Sequence, residues 1–148
     1  MSRPNWVARE MSPCEAAWVA GIVDGEGTVT IRTKPYPGGK RYQVCSLSVV
    51  NTDVEMIARL VELTGIGRVG MNVRATHKRK EIWRWGTDQR QAAAVARQLL
   101  PWLTTKRSRA ELLLEMQAIR RCGKYLPGAE GRLGEIVREF GELNRRGI

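Results

Sequence analysis

Ten residues decide the fold of this chain: Trp18-Val19-Ala20-Gly21-Ile22-Val23-Asp24-Gly25-Glu26-Gly27. Small and apolar residues, typical of a buried helix, give way abruptly to two acids and two glycines. Ahead of them, Ser12-Pro13-Cys14-Glu15 has the pattern of a helix start, with Ser12 as N-cap and Glu15 closing a capping box. The segment therefore predicts a buried helix that ends by presenting carboxylates.

Small residues recur along one side of this helix. Ala17, Gly21 and Gly25 are spaced by four residues, so they lie one above another and allow a second helix to come close. The carboxylates of Asp24 and Glu26 lie at the negative end of the helix dipole, which is unfavourable unless a cation binds there. We therefore expect a helix contact along this side and a divalent metal at the end. A buried helix followed by an ordinary Asp-Gly turn is the alternative.

Alternation and helical spacing predict the elements that follow. Strands are expected over residues 28–34, 41–50, 68–74 and 80–87, with a helix opened by a second capping box at Thr52 and stopped by Gly65. Further helices are expected over 91–100, 106–121 and through Ile136 and Phe140. The order α-β-β-α-β-β-α-α-α predicts one α+β domain over 1–148, a four-stranded curved antiparallel sheet with helices on one face.

The other face of this sheet is expected to be free and basic. Arg, Asn, Ser and Thr side chains on such a face can lie along the major groove of DNA, where Arg reads guanine and Asn reads adenine. An ordinary solvated sheet face is the alternative, but the strong positive bias favours double-stranded DNA. The predicted DNA-binding residues are Thr30, Arg32, Lys34, Lys40, Arg41, Tyr42, Ser46, Ser48, Arg68, Asn72, Arg74, Lys78, Arg79, Lys80 and Arg84.

Composition narrows the class of partner and compartment. The chain has 148 residues, with 25 Lys and Arg against 15 acids and a formal net charge of +10, which favours a polyanionic partner. Ribosome-associated and membrane-surface proteins share such a charge, and no small-molecule substrate is expected. No apolar run approaches the ~20 residues that span a bilayer, and no signal peptide is evident. Cys14, Cys45 and Cys122 suggest neither a zinc site nor disulfides. We expect an intracellular protein, cytoplasmic or nucleoid with an organelle as alternative, neither secreted nor membrane-bound.

The segment Val19–Gly27 resembles the LAGLIDADG motif of homing endonucleases. In that family two such helices pack side by side, and the penultimate acid of each binds the metals that cleave DNA. The resemblance covers about residues 13–121, including the α-β-β-α-β-β-α order and the passages Leu63–Val69 and Leu100–Lys106. Residues 122–148 lie outside it and are expected to form a helical extension of unknown function.

The resemblance implies roles for individual residues. Glu26 becomes the catalytic acid and metal ligand, although the family more often has Asp there, and Gly25 becomes a second ligand. Lys106 matches the lysine that supports the cleavage site, and an ordinary lysine at a helix start is the alternative interpretation. Asn51 lies in the segment where the family often places a polar residue near the catalytic water. A helix-capping turn is an equally good interpretation of Asn51.

A single motif implies a homodimer, with Ala17, Gly21, Asp24 and Gly25 at the interface, and therefore a near-palindromic target. The function implied is a site-specific double-strand DNA endonuclease that uses Mg²⁺, with Mn²⁺ or Ca²⁺ able to substitute for binding, and that serves intron or intein mobility. A non-cleaving DNA-binding regulator or an RNA maturase on the same fold is the alternative. A basic structural protein of the nucleoid is a third hypothesis, which leaves the acid–glycine terminus of the first helix unexplained.

Overall fold

A four-stranded antiparallel sheet carries the fold in the structure, a computed structural model that describes residues 5–39, 41–121 and 124–146. The strands are β1 (Gly27–Pro35), β2 (Arg41–Asn51), β3 (Arg68–Val73) and β4 (Ile82–Asp88), in the spatial order β1-β2-β4-β3. The helices are α1 (Pro13–Glu26), α2 (Val54–Thr64), α3 (Arg90–Leu99), α4 (Arg107–Ala118) and α5 (Glu130–Arg145). The first four pack against one face of the sheet and α5 packs on α4, so the predicted fold class is confirmed.

Helix α1 begins and ends where its sequence requires. The Ser12 hydroxyl accepts the Glu15 N–H at 3.2 Å, and the Glu15 carboxylate accepts the Ser12 N–H at 2.9 Å, which is the predicted capping box. At Gly27 a Cβ atom would lie 2.7 Å from the backbone of Val23, so only glycine fits where α1 passes into β1. This sharp join places Glu26 at the edge of the sheet.

The core lies between the helices and the sheet. Leu47 of β2 and Trp85 of β4 project from the helix side of the sheet and are fully buried, and Trp83 is half-buried on the same side. The indole N–H of Trp85 donates to the carbonyl of Ile66 at 3.0 Å, so its polar atom is satisfied. Gly67, at a φ of +103°, leaves room for this indole that a Cβ would occupy.

The start of α2 differs from the prediction. Its N-cap is Asp53 rather than Thr52, because the Asp53 carboxylate accepts the N–H groups of Glu55 and Met56 at 3.0 and 3.2 Å. A second capping box is therefore not formed. The helix ends as predicted at Gly65, whose φ of +69° is the left-handed conformation that glycine adopts most readily.

The region after α4 also differs. The chain leaves the helix at Ala118, not at residue 121, and forms a short hairpin of β5 (Arg120–Arg121) and β6 (Lys124–Tyr125). The Arg120 guanidinium donates to the carbonyl of Gln43 at 2.9 Å and lies over the Tyr125 ring, and these contacts with β2 override the local helical pattern. The extension thus contains a hairpin as well as α5.

None of the helices in the described ranges is long and apolar enough to span a bilayer.

A β-bulge interrupts the alternation of β3. Met71 pairs with Trp83, but Val73 pairs with Ile82, so two residues of β3 oppose one residue of β4 at this point. Val73 consequently lies on the free face with Ile82, whereas strict alternation from Met71 would have placed it on the helix side. The predicted strand ends one residue too late, because Arg74 lies beyond β3.

Candidate nucleic-acid interface and active site

The free face of the sheet collects most of the predicted DNA-binding side chains. The cross-strand pairs Thr30–Ser46, Arg32–Val44 and Lys34–Tyr42 lie on this face. Charged or polar side chains exposed on it or in the flanking loops are Arg32, Lys34, Arg68, Asn72, Arg74, Lys78, Arg79 and Lys80. Arg41 is also exposed, but it is the first residue of β2 and alternates to the opposite face from Tyr42. Thr30, Tyr42 and Arg84 are half-buried, and Lys40 lies outside the described residues.

Two serines of the predicted interface have little accessible surface. Ser46 and Ser48 face the free side of the central strand β2, but their exposed fractions are only 3% and 9%. The Ser46 hydroxyl donates to the Asp88 carboxylate at 2.5 Å, so its hydrogen-bonding capacity is partly used within the sheet. The geometry therefore gives the surrounding arginines and lysines better access to a ligand than these two serines.

Charge is segregated toward this face. The two hairpins of the sheet, residues 27–51 and 66–88, contain ten of the 25 Lys and Arg residues but only two of the 15 acids. The rest of the chain is nearly balanced. The net charge therefore belongs to the strands and their loops, which is the pattern expected when one face meets a polyanion.

The absence of a side chain at Gly86 leaves room for the guanidinium of Arg84. Arg84 and Gly86 lie on the same face of β4, and a Cβ atom at Gly86 would lie 2.2 Å from the Arg84 Nη1 atom. The guanidinium therefore lies directly over Gly86. A planar guanidinium on this face suits bidentate hydrogen bonds with guanine.

The C-terminal end of α1 carries Glu26 and contacts Lys106 through Asp24. Glu26 and Gly25 are exposed at the last turn, and the Lys106 ammonium donates to the carbonyl of Asp24 at 2.7 Å. Partial burial lowers the pKa of Lys106; the charges of Asp24 and Glu26 oppose this shift, whereas Arg109 adds to it. The predicted acid and lysine thus lie within electrostatic reach of each other.

The side chain of Asn51 takes part in a turn at the end of β2. Its side-chain oxygen accepts the N–H of Asp53 at 2.8 Å, which forms a turn before α2. Asn51 lies on the helix side of the sheet, paired with Trp83. This contact agrees with the helix-capping interpretation; its catalytic role stays a prediction.

One side of α1 is exposed and carries no charge between Pro13 and Gly25. Its exposed residues include Cys14, Trp18, Gly21 and Gly25. Added Cβ atoms at Gly21 and Gly25 would meet nothing within 4 Å, and Trp18 is 37% exposed with the Arg59 guanidinium 5.7 Å from its ring. The predicted interface residue Ala17 is half-buried beside this side.

Sequence reasoning missed two features of the site. The contact between Gly86 and Arg84 had a weak signal, a glycine two residues after an arginine in a strand. No local sequence pattern indicated the hydrogen bonds between Asp24 and the segment before α4, because they join residues about 80 positions apart. Within the described ranges, no group of three or more His, Cys, Asp and Glu side chains is placed to hold a metal.

Comparisons with known proteins agree on the fold. No family model matches the chain, and no curated protein matches it significantly. Solved structures do: the homing endonuclease I-CvuI, in complex with a DNA target in the presence of Mg, aligns with a TM-score of 0.67 at 21% identity, covering 88% of this chain and 80% of that one. The chain therefore has the fold of a homing endonuclease.

Two further structures extend this likeness. The archaeal intron-encoded homing endonuclease I-Vdi141I, complexed with DNA, aligns with a TM-score of 0.69 at 15% identity over 89% of this chain and 83% of that one. The LAGLIDADG homing endonuclease I-SmaMI, bound to cleaved DNA, aligns with a TM-score of 0.60 at 16% identity over 97% of this chain but 46% of its own length. The chain thus corresponds to about half of that longer relative.

Proposed function

We propose that this chain is a homodimeric, divalent-metal-dependent, site-specific DNA endonuclease of the LAGLIDADG type. The observation that carries the proposal is the end of α1, where Glu26 is exposed and the Lys106 ammonium bonds the carbonyl of Asp24, at the edge of a basic sheet. The fold shared with DNA-bound homing endonucleases supports it.

The free face of the sheet is the proposed DNA-binding surface. Its two hairpins carry ten basic residues against two acids, and counterion release makes such a surface bind duplex DNA strongly at low salt. The basic loop Lys78–Lys80 would contact phosphates, while Arg84, whose guanidinium lies over Gly86, would contact a base edge.

A second copy of the chain is the proposed occupant of the exposed side of α1. Gly21 and Gly25 leave space there that an approaching helix can fill, and Trp18 lies exposed beside them. Each copy would then bring one Glu26 to the symmetry axis. A two-fold particle reads a near-palindromic target, in line with the proposed substrate.

The donor set at the end of α1 fits a hard divalent cation. The exposed Glu26 carboxylate and the Gly25 carbonyl, one of the helix-end carbonyls without an intrahelical partner, are oxygen ligands of the kind that Mg²⁺ prefers. A bound ion supplies a nucleophilic water and stabilises charge on the leaving oxygen. Lys106 would stabilise negative charge on the phosphate from its position at the helix end.

Cleavage of a randomised duplex library with Mg²⁺ tests the proposal. We expect double-strand breaks at one preferred sequence, and none after chelation by EDTA. Glu26→Gln should abolish cleavage while DNA affinity stays within about twofold, because a neutral amide keeps the shape but not the metal-binding charge. Glu10→Gln, which removes one acid from an exposed position ahead of α1, is the matched control and should cut normally.

Two results would contradict this function. The absence of double-strand breaks at any sequence would exclude a nuclease. Equal loss of DNA binding and cleavage in Glu26→Gln would mean that Glu26 supports the assembly rather than the chemistry.

The occupied side chain of Asn51 favours the alternative of a non-cleaving regulator or RNA maturase on this fold, because its oxygen is already bonded to the Asp53 N–H. Tyr36, the most exposed of the large apolar side chains in the described ranges, offers a ring for base stacking. Competition between duplex DNA and structured intron RNA for the free protein identifies a maturase by its preference for RNA, whereas sequence-specific DNA binding without double-strand breaks identifies a regulator.

A further inference from the structure

Asp24 lies two residues before Glu26, and its carboxylate bonds the segment that leads into α4. One oxygen accepts the N–H of Thr104 at 2.8 Å, and the other accepts the N–H of Lys106 at 3.0 Å. Both carboxylate oxygens are thus engaged by the segment that leads into α4. If Asp24 also takes part in the predicted dimer interface, it does so while its carboxylate makes these two hydrogen bonds.

Lys106 is tied to the same residue a second time. Its ammonium donates to the main-chain carbonyl of Asp24 at 2.7 Å. The last carbonyls of a helix lack partners and carry partial negative charge, and α1 has no basic residue in its own last turn. Lys106 therefore supplies from α4 the cation that the end of α1 lacks.

These three hydrogen bonds form what we call the Asp24 clamp. Lys106 occupies the N-cap position of α4 without a side-chain cap of its own, so the Asp24 carboxylate supplies an acceptor for the main-chain N–H at this helix start. Leu103, the residue before Thr104, is 3% exposed and anchors this segment in the core. With its main chain held on both sides, Lys106 has few ways to place its ammonium.

We infer that Asp24 is a positioning residue of the proposed nuclease: through the clamp it fixes the Lys106 ammonium at the end of α1, the same helix end that carries Glu26. This inference rests on the proposed function for its catalytic meaning, while the clamp itself is a property of the free protein. Asp24 need touch neither metal nor DNA, since it acts through Lys106.

The clamp is tested first in the free protein, without metal or DNA. Backbone amide protons bonded to a carboxylate resonate downfield, so those of Thr104 and Lys106 should move upfield in Asp24→Ala. In Asp24→Asn one amide should keep its acceptor and the other should lose it. Unchanged amide shifts in both variants would overturn the clamp, whatever the activity of the protein.

Single-turnover cleavage then tests the positioning role. Asp24→Ala should lower the cleavage rate about 10- to 100-fold, the loss expected when a catalytic group is displaced by about 1 Å, with DNA affinity nearly unchanged. Asp24→Asn should retain an intermediate rate. Ser12→Ala, which removes the cap at the other end of the same helix, is the stability-matched control and should cut at the normal rate.

A double-mutant cycle separates positioning from simple destabilisation. If Asp24 acts through Lys106, adding Asp24→Ala to Lys106→Ala should cost little further rate. Additive losses would overturn the inference. If the unmodified protein cleaves no DNA, the proposed nuclease fails, and the amide shifts alone decide whether the clamp exists.

Discussion

Replacing Gly21 by Ala tests whether α1 meets a second copy of the chain. Within one chain this change has no steric cost, because a Cβ atom at Gly21 would meet nothing within 4 Å. Alanine is favoured over glycine inside a helix by about 1 kcal/mol, which for a chain of this size raises Tm by about 3 °C. An isolated chain should therefore become more stable.

A dimer that uses this side of α1 predicts the opposite result. Each copy would place a new methyl group in a close helix contact, and overpacking of this kind costs about 2 kcal/mol. Dimer dissociation would then be favoured by about 30-fold. The Tm of a dimer also depends on protein concentration, so the loss of stability should be largest in dilute samples.

Gly134→Ala supplies the matched control. Gly134 lies in α5, is exposed, and likewise has nothing within 4 Å of an added Cβ. Sedimentation equilibrium and thermal melting at several concentrations should show a dimer stabilised by Gly134→Ala and weakened by Gly21→Ala. If both variants raise Tm equally and leave the oligomeric state unchanged, the proposed interface is refuted.

Two further substitutions test the free face and the core. Gly86→Ala should displace the Arg84 guanidinium, because its Nη1 atom would lie 2.2 Å from the new Cβ, and the preferred base at one target position should then change while the midpoint of urea unfolding shifts little. An unchanged specificity profile would show that Arg84 reads no base. Trp85→Phe should destabilise the fold by about 2 kcal/mol in urea unfolding, because a buried carbonyl loses its indole donor and a cavity forms; a loss below about 0.5 kcal/mol would contradict this account of the core.

Local rules were sufficient for the elements that the sequence predicted well. The capping box at Ser12, the stop at Gly65 and the burial of Leu47 depend on residues within a few positions or on strand alternation. The same rules separated the basic free face from the apolar helix side. Glu26 and Lys106 were identified through the family resemblance, and the structure places them within electrostatic reach.

Long-range contacts account for what the sequence did not predict. Gln89 adopts a φ of +52° between β4 and α3, because its side-chain oxygen accepts the N–H of Cys45 in β2 at 3.1 Å. Arg120 leaves α4 early to bond the carbonyl of Gln43. The bonds of Asp24 likewise depend on partners about 80 residues away. No local pattern encodes such pairs, since each needs the sheet to be assembled first.

Two departures from ordinary helix design occur together in α1. A helix at the surface of a folded chain normally exposes a polar side, yet the exposed side of α1 presents Trp18, Gly21 and Gly25. A helix end normally attracts cations, yet α1 ends in the exposed acid Glu26 and borrows its only cation from Lys106. Either departure alone has an ordinary structural explanation. Both departures in one helix are expected when a second helix covers the uncharged side and a bound cation neutralises the acidic end. A single assembly, a dimer with bound metal, then explains both.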